Sequence, residues 1–280
     1  MASRQERKQQ ARAARQAAER AAAASARRTG RVRMLAGVVL TAAIVVAAII
    51  AISVSGGGGG PRGLAKGGAR RSVEARVRTL LAGIPEHGET LGNPHAKDTL
   101  TFFGDLQCPV CAALATGGSL GGVTGGLPQF IARQVRTGHA RIVYRSMCTA
   151  TCNDFGSSLF DTQQIAAYAA GMQNRFWYFE ELFYRQQGAE GSRYVTSGFL
   201  DQLARQTPGL RFRTWVRDRG DPSLLGQVQA DGRAAVRRLP LVDGGRGTPG
   251  LIMSGPRGTR FVAESLVGYG QLQAALRAVS

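Results

Sequence analysis

Residues 1–33 show no hydrophobic periodicity; Ala, Gln and Arg dominate, and no aromatic residue interrupts them. Met34 to Val54 then runs 21 residues without a charge, a length of roughly 31 Å as a helix, which matches a bilayer core. Gly56 to Gly60, Pro61, Gly63, Gly67 and Gly68 predict a flexible tether over 55–71. From Ser72 the spacing is that of a folded domain, 72–280. Val73, Val77, Leu80 and Leu81 share one face of a short amphipathic helix closed by Gly83 and Pro85. Thr99 to Phe103, β-branched and aromatic, predicts a buried strand that Gly104-Asp105 ends. Helical spacing starts at Cys108, is interrupted by the Gly-rich stretch 116–126, and resumes from Leu127 to Arg136. Arg141 to Arg145 predicts a second strand. Phe155 to about Leu239 keeps a helical period almost throughout. Leu251 to Met253 and Arg260 to Val262 flank a turn at Gly255-Pro256, and a last helix covers about Gln271 to Val279. The order β-α-β, helical block, β-β-α predicts an α/β sandwich with a helical insertion.

Charge changes the picture only after it is located. The chain carries 36 Lys+Arg against 18 Asp+Glu, a net of +18, which by itself invites a nucleic-acid reading. Residues 1–33 hold +8 of that excess and residues 55–78 hold +5, leaving a nearly balanced domain. No nucleic-acid motif is visible, so no nucleic-acid partner is expected, and the flanking arginines read as a topology signal. They place the N-terminus in the cytoplasm and the domain outside it. The apolar run exceeds a signal-peptide core and ends without an A-x-A site, which favours an uncleaved signal anchor at 34–54 in membrane lipid.

Chemistry enters with Cys108-Pro109-Val110-Cys111, at the end of a strand and the start of a helix. Unpaired N–H groups and the helix dipole stabilise an anion there, so Cys108 is the expected nucleophile. Pro109 suits the first turn, and the spacing brings Cys111 back as the expected resolving thiol. Thr248-Pro249 lies about 140 residues on, just before an apolar strand. A cis bond there would turn the Thr248 backbone toward the dithiol and offer N–H and C=O groups to an extended polypeptide. Alone this signal is weak; beside a strand-borne C-x-x-C it is strong.

With FFGDLQCPVC (102–111), VYRS (143–146), AAYAAGMQNRFWYFEELFYRQQG (166–188) and GTPGLIMSG (247–255), the chain resembles the DsbA-type thiol:disulfide oxidoreductases, in the membrane-anchored form found in actinobacteria. The resemblance covers 72–280. It implies a thioredoxin fold with a helical domain inserted over about 153–240, a cis Pro249 beside Cys108 and Cys111, and no cofactor. It also implies export, cysteine-containing exported proteins as substrates, and a quinone-linked membrane reoxidase of the DsbB or vitamin-K-epoxide-reductase type. Two departures stand out. Val110 cannot donate a hydrogen bond to a Cys108 thiolate, and SMCTATC, where relatives run into an apolar segment, adds Cys148 and Cys152.

That second pair reads as a structural disulfide, an auxiliary redox pair, or half of a zinc site with Cys108 and Cys111, with the disulfide or redox use favoured over metal. Asp105, three residues before Cys108, reads first as a turn cap and second as a proton carrier for Cys111. His87, His95 and His139 are scattered, and the run Phe176 to Phe179 with Phe183 reads as the core of the insertion. The expected activity is oxidation of exported proteins. A reductase or isomerase on the same fold, or a non-catalytic, zinc-stabilised binding module, are the rivals.

Overall fold

The computed structural model describes residues 64–280. The basic tail, the expected span at 34–54 and most of the tether lie outside the described residues. Among the described residues no helix is long and apolar enough to cross a membrane.

Helix α1 (Gly67–Leu81) buries Val77 and Leu81 and rests Val73 and Leu80 on the core, the face predicted by spacing. It begins five residues before the boundary expected at Ser72. Arg136 closes its C-terminus, donating to the carbonyls of Leu80 at 2.7 Å and Thr79 at 3.3 Å, a side-chain answer to the carbonyls every helix end leaves open. A small hairpin follows, β1 (Glu86–His87) and β2 (Thr90–Leu91). Next come β3 (Asp98–Gly104) and α2 (Pro109–Thr116). The Gly-rich interruption folds as a second hairpin, β4 (Ser119–Leu120) and β5 (Val123–Thr124). Gly121 and Gly122 form its tip with φ of +56° and +79°, the left-handed pair that a two-residue hairpin loop requires. Helix α3 (Leu127–Phe130) runs on as a π-helical turn over Ile131–Val135 into β6 (Ala140–Ser146).

The helical block is α4 (Ala150–Phe155), α5 (Ser157–Gly171), α6 (Phe176–Arg185), α7 (Ser197–Gln206), α8 (Phe212–Asp218) and α9 (Pro222–Arg238). The chain ends with β7 (Gly250–Gly255), β8 (Gly258–Ala263) and α10 (Tyr269–Val279). The main sheet has the order β1-β2-β6-β3-β7-β8. β3 runs parallel to β6, from Asp98↔Ala140 to Gly104↔Ser146, and antiparallel to β7, from Thr99↔Ser254 to Phe103↔Gly250. As a central strand covered on both faces it needs apolar residues at successive positions, and Leu100, Phe102 and Phe103 are fully buried.

The insertion grips both faces of this sheet. On one, Phe102 meets Tyr144 edge-on, Tyr144 meets Phe176, and Phe176 meets Trp177. On the other, Phe103, Met147 and Ile252 pack with Ala235 of α9 and with Leu239 just beyond it. The aromatic run expected to be insertion core is therefore also the seam with the sheet. Polar bonds reinforce the seam. Asp231 of α9 accepts from the Ser146 N–H at 3.1 Å and from the Tyr168 hydroxyl, and pairs with Arg145 at 3.2 Å. Trp177 donates its backbone N–H to Glu86 and its indole N–H to the Glu89 carbonyl, both at 3.0 Å, which ties α6 to the β1–β2 hairpin.

Candidate active site

The site lies where β3 hands over to α2. Asp105 ends the strand, its carboxylate accepting from the Gln107 N–H at 3.0 Å and its carbonyl from the Cys108 N–H at 3.0 Å. This turn delivers Cys108 to the N-cap of α2, with Pro109 in the first turn, where its missing N–H leaves nothing unpaired. The Cys108 sulfur accepts from the Cys111 N–H at 3.4 Å and, as a thiol, donates to the Thr248 carbonyl at 3.2 Å. Both cysteines are free thiols; Cys108 keeps 5% of its surface exposed and Cys111 none.

That asymmetry divides their chemistry. The Cys108 thiol is held below its ordinary range, first by the hydrogen bond from the Cys111 thiol, then by bonds from the Thr248 side chain and the Cys111 N–H, against burial and the nearby charge of Asp105. Burial pushes Cys111 well above its ordinary range, and the proximity of Cys108 pushes it the same way. One sulfur is thus suited to carry charge and the other to carry a proton.

Thr248-Pro249 is a cis peptide bond, and β7 starts at the next residue. Cys108, Cys111, Thr248 and Pro249, separated by up to 141 positions in sequence, meet at one end of the sheet. Cys148 and Cys152 are bonded to each other, with Cα atoms 5.6 Å apart. The zinc reading would need both as free thiolates, and the disulfide removes them. Among the described residues no three or more His, Cys, Asp or Glu side chains cluster as a metal site. Asp105 is fully buried and does more than cap a turn: its oxygens also accept from the Thr149 N–H at 3.1 Å, the Thr151 N–H at 2.9 Å, the Thr151 hydroxyl at 2.6 Å and the Gln163 amide at 3.1 Å. With both oxygens occupied in this way, the capping role is the one its surroundings favour over proton carriage.

Several supporting residues escape sequence reasoning. Gln187 donates to the Leu106 carbonyl at 2.8 Å and the Cys108 carbonyl at 3.2 Å, and Tyr184 donates to the Asp105 carbonyl at 3.3 Å, so the end of α6 braces the turn from below. The one local signal for Thr149 and Thr151 is their place inside C-x-x-x-C directly after a strand.

The thioredoxin family model matches residues 86–231, just over half of the 280-residue chain. The chain belongs to the thioredoxin family. Its matched segment stops short of β7, β8 and the cis-proline, which complete the thioredoxin sheet in the structure. Among solved structures it is similar to oxidised BdbD of Bacillus subtilis, with 17% identity and a TM-score of 0.54 over 70% of this chain and 96% of that one. DsbA of Chlamydia trachomatis matches at 14% identity and a TM-score of 0.52, over 68% of this chain and 89% of the other. For DsbA2 of Pseudomonas aeruginosa the figures are 18%, 0.50, 69% and 94%. Likeness at these identities is likeness of fold: a thioredoxin domain of the DsbA kind, with its helical insertion. No curated protein matches the chain.

Proposed function

We propose that this thioredoxin-family protein is an extracytoplasmic, membrane-anchored thiol:disulfide oxidoreductase that forms disulfides in exported proteins through Cys108 and Cys111. The observation that carries this reading is the Cys108 sulfur at the N-cap of α2, supplied with hydrogen bonds that favour its anion and backed by a buried Cys111. In the oxidised state the two sulfurs are bonded. A substrate thiolate attacks the Cys108 sulfur; the Cys108–Cys111 bond breaks, and Cys111 leaves and takes up a proton, as its burial favours. A second substrate thiolate then attacks the substrate sulfur of the mixed disulfide and expels Cys108 as a thiolate. The substrate loses two electrons and the enzyme pair gains them. Stabilising the departing Cys108 thiolate favours the reduced enzyme, and hence the oxidising direction. Backbone groups of Thr248 would hold the substrate as an added strand. Reoxidation by a quinone-linked membrane partner, and anchoring through 34–54 with the domain outside the cytoplasm, follow from the DsbA-type resemblance and the arginine distribution.

Cys108→Ser should abolish oxidation of a reduced test protein, and retained activity would overturn the assignment. Equilibration of the purified domain with glutathione sets the direction, because a poise as reducing as thioredoxin's would make it a reductase.

A further inference from the structure

Helix α1 presents an outward face that the fold does not bury. Its spacing sets Ser72, Ala75 and Thr79 opposite the buried Val77 and Leu81, and all three are exposed. Arg71 and Arg78 flank this stripe on one side and Arg76 on the other, each exposed. Lys66 to Leu81 holds five basic residues and one acid, Glu74, which pairs with Arg70 at 2.6 Å. Among the described residues, Arg71, Arg76 and Arg78 have no carboxylate partner. Arg76 and Arg185 line two cavities, of about 560 and 310 Å³; Arg136 lines the larger as well, and no acidic residue lines either. Glu181, the partner of Arg185, is fully buried.

What precedes α1 in the chain decides what covers this face. Twelve residues separate Gly67 from Val54, the end of the apolar run, and even fully extended they span only about 40 Å. A bilayer crossed by that run therefore stays within reach of α1 at all times, whereas a protein or a nucleic acid has to be met by diffusion. The geometry points to α1 as a docking face for the anionic phospholipid headgroups of that bilayer. Arg71, Arg76 and Arg78 meet the phosphates, and Arg136 and Arg185 deepen the positive field beside Arg76. The stripe between the arginines is small rather than apolar, so the contact is electrostatic, rests on the headgroups without insertion, and weakens with salt. This inference rests on the reading of 34–54 as a membrane anchor.

The test uses the full chain in vesicles, made either of phosphatidylcholine alone or of phosphatidylcholine and phosphatidylglycerol in equal parts. Ser72→Trp puts a fluorescent donor on the exposed face, and a lipid with a dansyl-labelled headgroup is the acceptor. The chain without that substitution supplies the background from the buried Trp177 and Trp215. Energy transfer should be higher on the anionic vesicles and should fall to the phosphatidylcholine level in about 0.5 M potassium chloride, where the Debye length is roughly 4 Å. Each arginine near such a surface is worth about fivefold in the ratio of docked to free helix, so Arg71→Gln, Arg76→Gln and Arg78→Gln together should lower that ratio about 100-fold and abolish the excess transfer. Changing the same three residues to Lys should keep it. Equal transfer on both kinds of vesicle overturns the inference, and so does excess transfer that survives the three glutamines. Inorganic phosphate that displaces the helix at an ionic strength where chloride does not would also overturn it, by showing a pocket for single anions. Chain that fails to float with the vesicles after an alkaline wash would instead overturn the anchor itself, and the inference with it.

Discussion

Glu86 gives this protein a pH dependence that can be worked out from its surroundings. It sits in β1 with 8% of its surface exposed, and its one hydrogen bond from the backbone, the Trp177 N–H at 3.0 Å, does not offset the loss of water. Burial raises its carboxyl from 4.5 to about 7, with the Trp177 N–H and the charge of Arg175 pulling the other way. Between those two values the folded chain binds more protons than the unfolded chain, so stability falls as pH rises from about 4.5 to about 7 and is level above that range. A shift of that size corresponds to about 3 kcal/mol at most. Glu86→Gln keeps an oxygen for the Trp177 N–H and removes the charge. Wild type and variant should melt together near about pH 4, and by about pH 8 the variant should be the more stable by up to about 3 kcal/mol, or roughly 6–12 °C for a domain of this size. Paired thermal and urea melts across that range read the difference directly. The buried Glu180 and Glu181 are also raised by burial, so the wild-type curve alone is ambiguous and the difference curve decides. A difference that stays constant with pH, or a variant weaker than wild type at the alkaline end, would refute the reasoning.

Asp105→Ala should cost about 3–5 kcal/mol in denaturant melts, because it leaves the Gln107, Thr149 and Thr151 N–H groups, the Thr151 hydroxyl and the Gln163 amide without their acceptor; a loss under about 1 kcal/mol would mean that water replaces it readily. Gly125→Ala should be far more damaging than Gly121→Ala. A Cβ at Gly125 would lie 2.1 Å from the Ala113 carbonyl oxygen and 2.8 Å from the Leu114 Cα, so the backbone of α2 must move, for about 3 kcal/mol. Gly121 has open space around it and only its left-handed φ of +56° to lose, about 1 kcal/mol. Equal losses in the two variants, read from chemical denaturation, would refute that ordering.

The central strands and the Cys108–Cys111 pair are legible because their signals are local. Thr99 to Phe103 is apolar at successive positions, as a strand covered on both faces must be, and Cys108-Pro109 carries its own helix start. The hairpins were not legible. β1 and β2 are two residues each, too short for a period of two to register, and Gly121-Gly122 read as a break where the chain in fact turns back on itself. The Asp105 network is invisible for another reason: apart from the neighbouring Gln107 N–H, its donors stand 44 to 58 positions away, and polar contacts at that separation leave no pattern in a window of residues. Glu180 and Glu181 mislead outright. Charge on a helix normally marks the wet face, yet both are fully buried, Glu181 beside Arg185 at 3.0 Å. Conversely, the two cysteines of the second pair, four apart at the mouth of a helix, are legible as a possible bridge, but the hydrogen bond between the hydroxyls of Thr149, inside their ring, and Thr248 crosses 99 positions.

Under the proposed function, the row of rings from Phe102 through Tyr144 and Phe176 to Trp177 bears on selectivity. Swinging the helical insertion over Cys108 like a jaw would pull these buried rings from their partners, and the Asp231 contacts with Ser146 and Arg145 would tear with them. The surface around Cys108 is therefore shaped before a substrate of the proposed kind arrives. Under that function, tolerance for substrates of different sequence then comes from the indifference of backbone hydrogen bonding at Thr248 to the side chains it passes.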